Sequence, residues 1–392
     1  MNFTQTLEAL KETNLYRSPR VLENLKGVRA NFEGRPVILF CGNDYLGLSE
    51  HPKVVKAAKI ALEVCGVGSG SARLISGTGT FHDALEQKIA SFLQKESALL
   101  FSSGYLANLG VLTALTDKDD LIALDKLSHA SLIDAAQAAK AELRIFPHRN
   151  MNYLRRLLSR SKAKRKWIVT DSVFSMDGDL APIQELVQLK HEFKAVLMLD
   201  EAHGFGIFGK GGRGAAEAAD ALDQVDIVIG TCSKALGSVG GFVSGTRETI
   251  EMLVNFARTF IFDTALPQAI CAASLEALQI IEANPKMREH LFSNTKHLRE
   301  GLHSIKAPVI KGESPIVPLL IGDEKNALQM STALLKKGFL VPAIRYPAVA
   351  RGSARLRLTV SVSHTSDQID SLSIAIRELF SGRQANNRHL SS

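Results

Sequence analysis

Several residues able to do chemistry follow short apolar runs in this chain. Lys234 stands in Thr231-Cys-Ser-Lys-Ala-Leu-Gly237, just after the run 227–230. A lysine set among small residues there is expected to be desolvated, with an ordinary exposed lysine as the plainer alternative. A desolvated ammonium gives up its proton more readily and can act as nucleophile or base near neutral pH. Asp200 and His203 share Asp200-Glu-Ala-His-Gly-Phe-Gly206, after the run 196–199. An acid and a histidine at that spacing can converge on one small ring; a capping aspartate with an incidental histidine is the plainer alternative. Ser102-Ser-Gly-Tyr-Leu-Ala-Asn108 follows the run 98–101 and leads into a helical pattern. A helix N-terminus entered through small residues offers free N–H groups and a positive dipole end to a phosphate, although an ordinary strand-to-helix turn reads the same way. Ser175, in Asp171-Ser-Val-Phe-Ser-Met-Asp-Gly178, can donate one hydrogen bond to a ring substituent. His129, in Asp125-Lys-Leu-Ser-His129, can stack on a ring or merely cap a helix.

Taken together these residues suit a pyridine ring that carries a phosphate and an aldehyde. Such a group needs a lysine for the aldehyde and a carboxylate to keep the ring nitrogen protonated. It also needs a phosphate seat and something flat against the ring. Lys234, Asp200, the Gly104–Tyr105 turn and His129 fill those places. The elements that must position them alternate. Helical patterns such as 83–93 are separated by apolar runs at 98–101, 121–124, 167–170, 196–199 and 227–230. Alternating units with apolar strands predict an α/β fold with a parallel sheet covered on both faces. Ligands of such sheets bind outside the carboxyl ends of the strands, where the four clusters fall. Residues 1–45 read as a short helix and a hairpin-like segment, 46–283 as the large domain and 284–382 as a smaller α+β domain with strands near 317–321 and 354–362. The polar tail 383–392 is expected to fray.

The composition narrows the alternatives. With 47 basic and 40 acidic residues the net charge is +7, which suits an anionic substrate but is too small to argue for nucleic acid. Much of the excess lies in 155–166, where no aromatic residues interleave to stack bases. The four cysteines, Cys41, Cys65, Cys232 and Cys271, have neither metal-site nor CxxC spacing, so no metal is expected and reduced thiols in the cytoplasm are. The uncharged stretch 98–116 is broken by Ser102, Ser103, Gly104 and Asn108, which predicts strand, turn and helix instead of a membrane span. The first twenty residues lack the apolar core of a signal peptide.

The motifs CGNDYLGL (41–48), GSGSARLISGT (68–78), FSSGYLAN (101–108), DKLSHAS (125–131), DSVFSMDGDLAP (171–182), DEAHGFGIFGKGGRG (200–214), GTCSKALGSVGG (230–241), FIFDTALP (260–267) and ARLRLTVSVSHT (354–365) occur in this order. In them the chain resembles the α-oxoamine synthases, which are fold-type I enzymes of pyridoxal 5'-phosphate, from about Leu39 to about His364. The resemblance implies a mostly parallel seven-stranded sheet between helices and a smaller C-terminal α+β domain. It implies that Lys234 bonds to the cofactor aldehyde and removes the substrate α-proton, and that Asp200 partners the pyridine nitrogen. His203 and Ser175 would bond the phenolic oxygen, and His129 would stack on the ring. Gly104 and Tyr105 would hold the phosphate with Thr231 beside them, and Asn43 and Arg357 the substrate carboxylate. Thr264 lies in a segment that reaches the neighbouring subunit's phosphate in relatives, which implies a homodimer with shared active sites. Asp263 departs from the family pattern, since a hydroxyl residue is common there and an acid beside a phosphate is unfavourable. The implied reaction is decarboxylative condensation of an amino acid with an acyl thioester carried by coenzyme A or an acyl carrier protein. The turn 68–78 and the run from Ile344 favour L-alanine with a pimeloyl thioester. Relatives using glycine or serine, an aminotransferase and a cofactor-less binding protein are the alternatives.

Overall fold

The structure, a computed structural model, describes residues 3–389. The chain divides into two compact units. The larger comprises Leu46–Phe174 and Leu180–Arg288; the smaller comprises the chain up to Tyr45, the five residues Ser175–Asp179, and the chain from Glu289 onward.

The larger unit is built on a seven-stranded sheet, with strands in the order Ser97–Phe101, Gly241–Gly245, Ile227–Thr231, Val196–Asp200, Lys166–Asp171, Leu121–Asp125 and Glu142–Phe146. Gly241–Gly245 is antiparallel to both its neighbours, and the other pairings are parallel. The apolar runs become these strands because both faces are covered. Leu121, Ile122, Ala123 and Leu124 are each at most 1% exposed, as parallel strands between helices require. Helix Gly104–Leu115 is apolar nearly all round and packs Ala107, Val111 and Leu112 into the same core as Val169, Met198 and Ile229. Each such side chain contributes roughly 1.5–3 kcal/mol of burial. Asp125, Asp171, Asp200 and Thr231 stand at the carboxyl ends of adjacent strands.

In the smaller unit, helix Phe3–Glu12 and strands Glu23–Lys26, Arg29–Phe32 and Arg35–Leu39 follow the expected helix and hairpin-like segment. Residues 1–45 do not stand apart, however: Arg35–Leu39 pairs in parallel with Phe339–Leu340. A second sheet joins Ile316–Gly322, Ala354–Thr359 and Ala343–Ile344, all antiparallel. Phe40, Leu298, Leu302, Val317, Leu356 and Ile369 share its core. The chain passes between units at Arg288/Glu289, inside helix Lys286–Ser304, five residues beyond the expected boundary. The excursion Ser175–Asp179 had no compositional signal. It is tied to the smaller unit by Ser314 Oγ donating to the Gly178 carbonyl at 2.8 Å and by an ion pair of Arg355 with Asp177. The last helix, Ser366–His389, continues as backbone into the expected tail, whose final three residues lie outside the described ones. No helix among the described residues is long and apolar enough to cross a membrane.

Candidate active site

In the larger unit the strand ends converge on Asp200, which is 5% exposed. Its Oδ1 accepts from the Ala202 amide at 2.8 Å, and its Oδ2 accepts from Asn108 Nδ2 at 2.8 Å. Asn108 reaches it from the first turns of helix Gly104–Leu115 and also donates to Ser131 Oγ at 2.9 Å. Ser131 Oγ lies 2.8 Å from His129 Nδ1, and the Ser131 amide donates to the same nitrogen at 3.2 Å. His129 is therefore the N-cap of helix Ala130–Ala138, as its plainer reading had it. Burial holds the His129 imidazole below its usual pKa, opposed by Asp200 and reinforced by Lys234. The His129 amide donates to Asp171 Oδ2 at 2.9 Å. Asp171 is in register with Asp200 on the adjacent strand. Burial, and then the charge of Asp200, push the Asp171 carboxyl well above the usual range, with Lys234 acting against them. The lysine, both aspartates and His129 thus lie within electrostatic reach of one another.

Lys234 sits half-buried in the loop from Thr231 to Gly240, which is closed by the Cys232 amide donating to the Gly240 carbonyl and the Ser238 amide to the Cys232 carbonyl, both at 2.9 Å. Gly237 turns this loop at φ +62°; a Cβ there would lie 2.2 Å from the Ser49 amide nitrogen. His203 is buried in the loop after Asp200. That loop is clamped by Glu201, which sequence reasoning passed over. Glu201 is fully buried and accepts from Ser172 Oγ at 2.6 Å, the Ala215 amide at 3.0 Å and the Ala216 amide at 2.7 Å. Burial raises its pKa to about 7.

Where the phosphate seat is expected, helix Gly104–Leu115 begins, and Ser103 Oγ caps the Leu106 amide at 3.2 Å. A Cβ on Gly104 would lie 3.6 Å from Thr231 Cβ, so the two flank one another. The Thr231 hydroxyl donates to the Gly240 carbonyl at 2.8 Å and closes the lysine loop. The Tyr105 hydroxyl donates to Asp134. Asp263 accepts from Ser102 Oγ and, at 2.9 Å, from the Thr264 amide, so its carboxylate is satisfied by the seat's own edge. Thr264 is exposed and bridges to Ala72 instead of joining the Lys234 cluster.

The smaller unit gathers the other expected residues. Arg357 is 6% exposed; its Nε donates to the Ser175 carbonyl at 2.6 Å, Nη1 to Thr359 Oγ1 at 3.0 Å and Nη2 to Asn43 Oδ1 at 3.4 Å. No carboxylate pairs with this buried guanidinium among the described residues, whereas Arg355, two residues away on the same strand, pairs with Asp177. Tyr45, fully buried, has its pKa raised to about 12 by desolvation despite the nearby Arg357 charge.

The larger unit's donor set fits pyridoxal phosphate. The Asp200 oxygens accept one hydrogen bond each, and a carboxylate offers about four acceptor positions, which leaves capacity for a ring N–H. The His129 imidazole, Lys234 and a twelve-residue helix's N-terminus complete the set. Residues 35–376 match the family described as aminotransferase class I and II, and the chain belongs to that family. It has the fold-type I architecture, and its cofactor is pyridoxal 5'-phosphate. Within the family it is 45% identical, over 93% of its length and 95% of the relative's, to a putative 8-amino-7-oxononanoate synthase of Desulforudis audaxviator. It is 42% identical, over 97% of both chains, to the 8-amino-7-oxononanoate synthase of Thermoanaerobacter pseudethanolicus. Among solved structures, a serine palmitoyltransferase from S. paucimobilis with bound PLP and myriocin superposes with a TM-score of 0.92 at 32% identity, covering 96% of both chains. An 8-amino-7-oxononanoate synthase from Francisella tularensis superposes at 0.77 with 30% identity, over 89% of this chain and 99% of the other.

Proposed function

We propose that the chain condenses L-alanine with a pimeloyl thioester, releasing CO2, the free thiol carrier and 8-amino-7-oxononanoate, a reaction of biotin biosynthesis. The observation that carries this choice is identity of 42–45% over nearly the whole chain to relatives bearing that name. The higher superposition on serine palmitoyltransferase reflects a shared backbone. Substrate choice depends on side chains, for which sequence identity is the better guide.

When bound, pyridoxal phosphate supplies an electron sink for the pair left on the α-carbon. Asp200 would accept from the ring N–H and hold that proton. Lys234, beside the reacting carbon, takes the α-proton and later returns it. His129 would stack on the ring, and His203 and Ser175 would bond its phenolic oxygen. The backbone of Gly104 and Tyr105 would hold the phosphate, with Thr231 supporting the turn. Arg357, backed by Asn43, binds the substrate carboxylate; a buried guanidinium without a carboxylate partner among the described residues supports that role, because an isolated buried charge is costly. Thr264 reaches the neighbouring subunit's phosphate in a homodimer with shared sites. The enzyme works in the cytoplasm.

The test is a panel of acetyl, pimeloyl and palmitoyl thioesters, on coenzyme A and on acyl carrier protein, each assayed with alanine, glycine and serine for CO2 and product mass. The expected result is turnover with alanine and pimeloyl thioester. Preferred turnover of another pair, or amino transfer to a keto acid without CO2, overturns the assignment.

A further inference from the structure

We propose that Asn108 and Ser131 are positioning residues that lock His129 in its neutral Nε2–H form and tie its orientation to Asp200. The inference rests on the reading that Asp200 and His129 face the cofactor ring, but its structural core does not. Asn108 has two amide hydrogens, and both are committed: one to Asp200 Oδ2 at 2.8 Å, the other to Ser131 Oγ at 2.9 Å. Exchanging the amide oxygen and nitrogen would set oxygen against carboxylate, so the charge of Asp200 dictates the orientation. Ser131 Oγ, having accepted from Asn108, has its own hydrogen to give, and His129 Nδ1 lies 2.8 Å away. The Ser131 amide, which can only donate, addresses the same nitrogen at 3.2 Å. Two donors converge on Nδ1, so that nitrogen is bare and the proton resides on Nε2.

Capping alone would need only the Ser131 amide. The additional path from hydroxyl to amide to carboxylate runs through groups at most 5% exposed, Asn108, Ser131 and Asp200; along it both donor hydrogens of Asn108 are taken, and only its Oδ1 lacks a partner among the described residues. The backbone is held separately by the His129 amide on Asp171 Oδ2 at 2.9 Å. The charged groups facing the imidazole are Asp200 and Asp134, which favour protonation, Lys234, which opposes it, and Asp171 at its backbone. Protonating Nδ1 would turn an N–H toward the Ser131 N–H and break the relay. The consequence is a ring that stays neutral, with one fixed donor at Nε2.

The experiment is nitrogen-15 NMR of histidine-labelled holoenzyme between pH 5 and 9, with the His129 signals assigned from a His129→Gln protein. Wild type should show the Nε2–H tautomer throughout the neutral range. In Ser131→Ala the tautomers should mix, and the apparent pKa of His129 should rise by about one unit, a tenfold gain in proton affinity, because a donor to Nδ1 is lost. Ser131→Thr should restore both. Asn108→Ala should weaken cofactor binding about tenfold and loosen the tautomer. If Ser131→Ala folds poorly, Ser131→Cys keeps the volume with a weak donor and should show the same mixing. An unchanged tautomer and pKa in these variants overturns the proposal and leaves His129 a simple cap. Altered signals with unimpaired condensation would uphold the lock while removing His129 from the catalytic reading, so the two can fail separately.

Discussion

In the proposed reaction a single amine, that of Lys234, would both hold the cofactor and move the α-proton. Lys234→Ala should therefore abolish turnover and the protein's visible absorbance above 400 nm, with the melting temperature close to wild type, as read by spectrophotometry and calorimetry; full activity would remove the residue from the mechanism. Arg357 poses a different demand, because it must present a planar fork. Its Nε and Nη1 are held by the Ser175 carbonyl and Thr359. Arg357→Lys keeps the charge but not the fork. The KM for alanine should rise by roughly 10- to 100-fold, as loss of a charge-assisted hydrogen bond entails, with a smaller change in kcat. An unchanged KM in steady-state kinetics would place the carboxylate elsewhere.

The elements matter through the loops they hold. Gly237 must adopt φ +62° against the Ser49 backbone, so Gly237→Ala meets both strain and collision. It should cost about 2 kcal/mol or more and weaken cofactor retention, because the same turn presents Lys234; denaturant melts and cofactor titration would show it. The Glu201 clamp gives a pH signature. Its folded pKa of about 7 lies above the ordinary glutamate value of 4.5. The folded state therefore holds the proton more tightly. Its contribution is fully present below about pH 4.5 and is lost as the pH rises to 7, an effect on the order of 3 kcal/mol. Glu201→Gln should lower stability overall, since one amide loses its acceptor, and flatten that part of the stability profile. A wild-type slope retained in the variant would assign the titration to another group.

At the scale of the whole molecule, the proposal of a homodimer with shared active sites makes a prediction about mixtures. Lys234→Ala and Thr264→Ala proteins, refolded together in equal amounts, should form hybrids with one doubly defective and one intact site. Activity should recover to about a quarter of wild type if protomers pair at random in a two-fold dimer. No recovery despite confirmed hybrid formation by mass spectrometry would show each site to be complete within one chain. At this scale the sequence also reached furthest and fell short most plainly. Five strands of the central sheet were readable because apolar runs mark them and polar clusters follow their ends; Glu142–Phe146, with alternating polar residues, and the antiparallel Gly241–Gly245, rich in glycine, carry no such run. The joining of residues 1–45 with the C-terminal part was not readable, because the parallel pairing of Arg35–Leu39 with Phe339–Leu340 leaves no local pattern.

The sequence by itself determined the alternation of helix and strand, and with it the residue types available at the strand ends: Lys234, Asp200 and His129. Periodicity and turn chemistry are local, so they can be read along the chain. Only the tertiary structure decided which polar groups meet. Asp171 lies beside Asp200 because their strands are neighbours in the sheet. Asn108 reaches Asp200 from a helix 92 positions away in sequence, and Asn43 meets Arg357 across 314. Such hydrogen bonds follow from strand order and helix packing, and no spacing along the chain encodes them.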